Sequence, residues 1–119
     1  MDVRFCENYV NRLQSVVSQY DWEPASKLAN ALRTVWKNKQ RVFFCGNGGS
    51  AGNAIHLAND FLYGAGIKNG KGIRVEALSA NPAVLTCLAN DLGYEMIFSE
   101  QLNVKANKND ILIVFELID

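Results

Sequence analysis

The residues of this chain that could do chemistry are a histidine–carboxylate pair and a polar glycine turn just ahead of it. His56 and Asp60 stand four positions apart, a spacing that puts both on one face of a helix. A neutral imidazole and a carboxylate so placed can share a metal such as zinc. The same pair also fits a hydrogen-bonded histidine packed under a sheet beside a solvated carboxylate. The turn is Gly46-Asn47-Gly48-Gly49-Ser50. Its glycines permit backbone angles closed to residues with a Cβ, and Ser50 can cap a following helix. The free N–H groups and positive dipole end of that helix would favour an anion or a polar sugar oxygen. The G-x-G-x-x-G spacing of dinucleotide sites fails at Ala51, and no Gly-Lys-Ser/Thr follows as in a Walker loop. No nucleotide cofactor is therefore expected. A ligand-free strand-to-helix connection, with Asn47 tolerating a left-handed turn, fits the spacing as well.

The elements that must position these residues follow from the apolar pattern. Val42 to Cys45 is a short run of strand formers, so Arg41 to Cys45 reads as a strand. From Ala51 the residues Ala54, Ile55, Ala58, Phe61 and Leu62 recur at helical spacing. Upstream, Val3 to Tyr20 carries a broad apolar stripe capped by Asp2. A break at Asp21 to Glu23 leads, with Pro24 in its first turn, into a second helix ending near Lys37. The wide stripe on the first helix suits packing on another subunit; covering the sheet is the alternative. Downstream, Tyr63 to Gly72 reads as an exposed loop and Ile73 to Leu78 as a second strand. Ser79 to Pro82 reads as a turn, Ala83 to Asn90 and Tyr94 to Lys105 as helices, and Asn107 to Asp110 as a polar turn. Ile111 to Phe115 is a third strand, whose unbroken apolar run predicts a sheet covered on both faces.

The expected fold is therefore α/β: two N-terminal helices (1–39), then a βαβαβ half-sheet (40–119), parallel by right-handed crossovers. It forms a three-layer, flavodoxin-like sandwich. Ligands of such sheets bind beyond the carboxyl ends of the strands, where the glycine turn, Ser79 to Pro82 and the tail Glu116 to Asp119 all lie.

Composition excludes several classes. Twelve Lys plus Arg balance twelve Asp plus Glu among 119 residues, which argues against direct nucleic-acid binding. No apolar run approaches the ~20 residues of a membrane span, and the N-terminus lacks a signal-peptide core. A cytoplasmic protein is expected. Cys6, Cys45 and Cys87 lack metal spacing and lie in apolar patterns, so buried reduced thiols are expected.

Gly46-Asn47-Gly48-Gly49-Ser50, with Ala54, His56, Ala58 and Asp60 after it, resembles the first motif of the sugar isomerase (SIS) domain family, in its phosphoheptose isomerase branch. Leu88-Ala89-Asn90-Asp91-Leu92-Gly93-Tyr94, then Ile97-Phe98, is similar to a second motif of that family. The resemblance implies aldose–ketose isomerisation of sedoheptulose 7-phosphate to a heptose 7-phosphate, feeding heptose synthesis for bacterial surface polysaccharide. It implies that His56 and Asp60 serve as metal ligands, for zinc, and in catalysis. Asn47, Gly48, Gly49, Ser50, Asn90 and Asp91 would then hold the sugar phosphate, with Ser79 a weaker candidate. It also implies a homo-oligomer, dimer or tetramer, built through the N-terminal helices. From the residues alone, Asn90 and Asp91 equally fit a helix C-terminal turn closed by Gly93.

Two departures stand out. Asp60 occupies the place of a family glutamate and is one methylene shorter. The family's sheet has five strands, with a serine-rich phosphate loop after the third and a late catalytic histidine. Here Glu116 and Asp119 follow the third strand instead, so the chain reads as the truncated first half of the domain, with activity in doubt. A non-catalytic SIS protein is the competing reading, associating with a replication initiator or sensing a sugar phosphate.

Overall fold

The computed structural model describes residues 2–64, 66 and 70–116. The chain divides into two compact units, residues 1–30 and 31–119.

The first unit holds α1 (Val3–Gln19) and the start of α2 (Glu23–Lys37). The Asp2 carboxylate accepts from the Arg4 N–H at 3.2 Å and closes the first turn of α1, as expected of an N-cap. No residue of α1 is buried. Phe5, Tyr9, Leu13, Val16 and Tyr20 all stand exposed on it. The Trp22 indole N–H donates to the Val17 carbonyl at 3.2 Å, and its ring meets Tyr20 edge-on at 5.1 Å. An apolar cleft results between Val16, Val17, Tyr20, Trp22 and Leu28.

The second unit is built on a parallel sheet of three strands in the order β2-β1-β3. The strands are β1 (Arg41–Gly46), β2 (Arg74–Ala77) and β3 (Ile111–Phe115). Between β1 and β2 runs α3 (Gly48–Asn59), extended by a π turn over Asp60–Gly64. Between β2 and β3 run α4 (Pro82–Asp91), a 3₁₀ turn (Tyr94–Met96) and α5 (Ser99–Lys105). The expected βαβαβ order is present.

Alternation along β1 divides the core. Val42 and Phe44 face one side, packed with Val35, Ala54, Ile73 and the half-buried Leu57, Phe61, Ile111 and Ile113. Phe43 and Cys45 face the other, with Leu78, Phe98 and Leu102. The middle strand is thus covered by helices on both faces, as its unbroken apolar run requires. Residues 31–37 of α2 belong to the first of these faces, where the Trp36 indole donates to the Lys71 carbonyl at 2.9 Å.

Several expectations are corrected. β3 is an edge strand, and only Ile111, Ile113 and Phe115 are half-buried; Leu112 and Val114 are exposed. Coverage on both faces holds for β1 and not for β3, because Phe98 and Leu102 pack over Phe43 and Cys45. Tyr94 to Lys105 is not one helix: positions 97 and 98 break it into the 3₁₀ turn and α5. Of the cysteines only Cys45 is buried, and burial pushes its thiol up; Cys6 and Cys87 are exposed. The exposed-loop reading of Tyr63 to Gly72 begins instead with the end of the π turn, and its positions 65 and 67–69 lie outside the described residues.

Candidate functional site

The glycine turn lies at the carboxyl end of β1, between the ends of β2 and β3. Its start is set by close approach. A Cβ on Gly46 would fall 2.8 Å from the Ser50 Cβ and 2.9 Å from the Phe115 carbonyl oxygen. Gly48 instead supplies backbone angle, with φ at 53°. Gly49 has neither constraint, so the expectation that all three glycines need forbidden angles is too broad.

The helix begins earlier than expected. Asn47, with extended backbone, is the N-cap of α3, and Ser50 sits in the first turn. This corrects Ser50 as the cap. The chain turns helical as soon as Gly48 frees it, so the Asn47 carbonyl accepts from Ser50 N–H at 2.9 Å and Ala51 N–H at 3.3 Å. The Gly48 and Gly49 N–H groups precede any helical acceptor and remain available to a ligand.

Asn47 does not use its side chain to cap α3. Its amide oxygen instead accepts from the Tyr94 hydroxyl at 2.8 Å. Tyr94 follows Gly93, whose φ of 104° turns the chain from α4 back over the glycine turn. The two motifs therefore meet in space through Asn47 and Tyr94. Sequence reasoning missed Tyr94; its place within the second motif was the available signal.

Ser79 also serves the turn. Its buried hydroxyl donates to the Gly46 carbonyl at 2.8 Å. That proton is spent on the loop, so Ser79 is a support of the site and not a free substrate donor. Behind it, Gln101 is buried and donates to the Leu78 and Ile97 carbonyls at 3.0 and 2.8 Å. Gln101 was likewise missed, because a glutamine in a short polar helix reads as solvated.

The remaining candidates lie apart. His56 Nε2 and Asp60 Oδ2 are 3.3 Å apart, both largely solvent-exposed. The histidine is not packed under the sheet. Along α3, His56 lies about 12 Å beyond Gly48 at ~1.5 Å per residue. Asn90 and Asp91 engage each other, the Asn90 amide donating to Asp91 Oδ1 at 2.7 Å. The Cys87 thiol donates to the other Asp91 oxygen at 3.5 Å. The Asp91 carboxylate, through that hydrogen bond and its charge, holds the Cys87 thiol above its usual range. The tail carboxylate Asp119 lies outside the described residues.

His56 and Asp60 supply two donors for a metal, and among the described residues no three His, Cys, Asp or Glu side chains converge. A closed zinc centre takes about four. The described residues do not by themselves fit one.

In open parallel α/β sheets, ligands bind beyond the carboxyl ends of the strands, where this glycine turn lies. The match to known proteins is specific: residues 4–117 fit the model of the SIS domain. The chain belongs to the SIS domain family. It is 39% identical over 100 residues to the phosphoheptose isomerase of Helicobacter hepaticus, covering 83% of this chain and 50% of that one. It is 40% identical over 77 residues to that of Nitratiruptor, covering 65% and 41%. A solved phosphoheptose isomerase from Neisseria gonorrhoeae superposes with a TM-score of 0.80 at 25% identity, covering 95% of this chain and 59% of the other. The chain thus spans about half the length of the relatives it matches in sequence. Among the described residues no helix is long and apolar enough to cross a membrane.

Proposed function

We propose that this chain carries the glycine-turn part of a sugar-phosphate isomerase site of the phosphoheptose type, acting on sedoheptulose 7-phosphate in the cytoplasm. The observation that supports it is the Asn47 amide, held at the carboxyl edge of the sheet beside the free N–H groups of Gly48 and Gly49. Such donors suit the oxygens of an open-chain sugar. Aldose–ketose exchange moves a proton between adjacent carbons while charge gathers on their oxygens. Donors fixed beforehand lower the cost of that charge. Ser50 belongs to the same turn. Asn90 and Asp91, just before Tyr94, keep spare donors and acceptors for the sugar while bonded to each other. His56 and Asp60 are assigned the base and ligand roles of the family, with zinc as the metal whose ligand set they would only begin. The exposed stripe on α1 is assigned to contact with a second copy of the chain.

The test is turnover and binding of sedoheptulose 7-phosphate by the purified chain. We expect isothermal titration to give a saturable signal that Asn47→Ala weakens at least tenfold. No binding by the unaltered chain would sink the reading.

One observation favours a second reading, a non-catalytic SIS protein that binds a sugar phosphate or a protein partner. The shorter Asp60 is already within ion-pair distance of His56 on open surface. That reading expects ligand binding with no turnover, and no loss of binding in His56→Ala.

A further inference from the structure

We propose that Tyr94 sets the hydrogen-bonding polarity of the glycine turn, acting as a positioning residue that makes Asn47 a donor to the ligand. The ligand is that of the sugar-phosphate reading above, and the role of Tyr94 follows from geometry.

An asparagine amide offers one acceptor and two donors, and a neighbour decides which end faces a ligand. As N-cap of α3, Asn47 would ordinarily turn its oxygen onto its own helix. It does not; the oxygen is taken by the Tyr94 hydroxyl at 2.8 Å. Asn47 is exposed, so its Nδ2 group is left open to a ligand. With the Gly48 and Gly49 N–H groups beside it, the turn gathers three N–H donor groups. Such a surface takes acceptor oxygens: a carbonyl, an enediolate or a phosphate. The reversed amide would place an acceptor among those donors and recognise hydroxyl protons instead.

The geometry that holds Tyr94 is built for constancy. Gly93 adopts a φ of 104°, and its carbonyl accepts from Met96 N–H at 3.1 Å. Ile97, which ends the 3₁₀ turn, is buried, and its carbonyl takes the Gln101 amide. On the other side, Ser79 fixes the Gly46 carbonyl. The turn is therefore gripped at Gly46 and at Asn47 by two separate connections. Tyr94 itself is 61% exposed, so removing its hydroxyl disturbs no packing.

The experiment uses ¹⁵N-labelled protein, unaltered and as Tyr94→Phe and Asn47→Asp. In Tyr94→Phe we expect the Asn47 side-chain amide resonances to move while the urea midpoint stays put. The Kd for sedoheptulose 7-phosphate should rise about tenfold, the loss of one oriented hydrogen bond. In Asn47→Asp the carboxylate still accepts from the Tyr94 hydroxyl but offers a ligand no donor, so sugar-phosphate binding should vanish. Unmoved Asn47 amide resonances in Tyr94→Phe, or undiminished binding in Asn47→Asp, would overturn the proposal. If the unaltered chain binds no sugar phosphate, the functional reading falls, and the Asn47 resonances in Tyr94→Phe still decide the role of Tyr94.

Discussion

Cys87 shows how a single neighbour alters a side chain that the sequence describes wrongly. It lies in an apolar stretch, yet on α4 it points outward and donates to Asp91. The adjacent carboxylate disfavours the thiolate, so the thiol titrates above an ordinary cysteine and less thiolate exists at any given pH. Alkylation of Cys87 by iodoacetamide at pH 8 should therefore be slow for an exposed thiol, and Asp91→Asn should speed it several-fold. Peptide-level mass spectrometry reads both rates; equal rates would show that the carboxylate does not act on the thiol. The glycine turn was legible because its types carry their reasons locally: Gly48 supplies a positive φ. Gly46 was legible as a glycine but not for its cause, since the crowding atoms include Phe115, far along the chain. Tyr94 was legible as a member of the second motif but not as the partner of Asn47. Across a separation of 47 positions nothing local signals the hydrogen bond.

At the scale of elements, the strands and the helices α1 to α4 form where the apolar pattern places them, although no residue of α1 is buried. The stretch from Tyr94 to Lys105 departs from its period for a polar reason. Gln101 must reach the Leu78 and Ile97 carbonyls from a short helix, and Lys105 bonds to Gln101 and to Glu76 of β2. Glu76 pairs in register with Phe43, so it faces the side of the sheet that α5 covers. A polar clamp thus joins α5 to β2 where the sequence suggests only solvated charges. Gln101→Leu keeps similar volume but strips the Leu78 carbonyl of this donor. We expect a loss of about 1–3 kcal/mol in unfolding free energy, measured by urea denaturation. An unchanged midpoint would mean that the clamp adds nothing.

For the whole molecule, the exposed apolar residues of α1 carry the expectation of self-association. Light scattering on a sizing column should give a mass at least twice the 13.2 kDa of one chain, and Leu13→Glu should return it to one chain. A monomer in the unaltered protein would reassign that face. The strand order was less legible than the strands: periodicity marks which segments are strands, while β1 at the centre follows from its burial on both faces. The parallel sheet also divides labour between its two poles. At the amino pole, Asp110 holds the Arg41 N–H at 2.8 Å and the Lys39 carbonyl holds the Arg74 guanidinium at 2.9 Å. These latches fasten the strands. The glycine turn, Ser79 and Tyr94 all emerge at the opposite pole. Selection can then reshape what the protein recognises at one end without renegotiating how it folds at the other, and variation between related chains should accumulate unevenly along the axis of the strands.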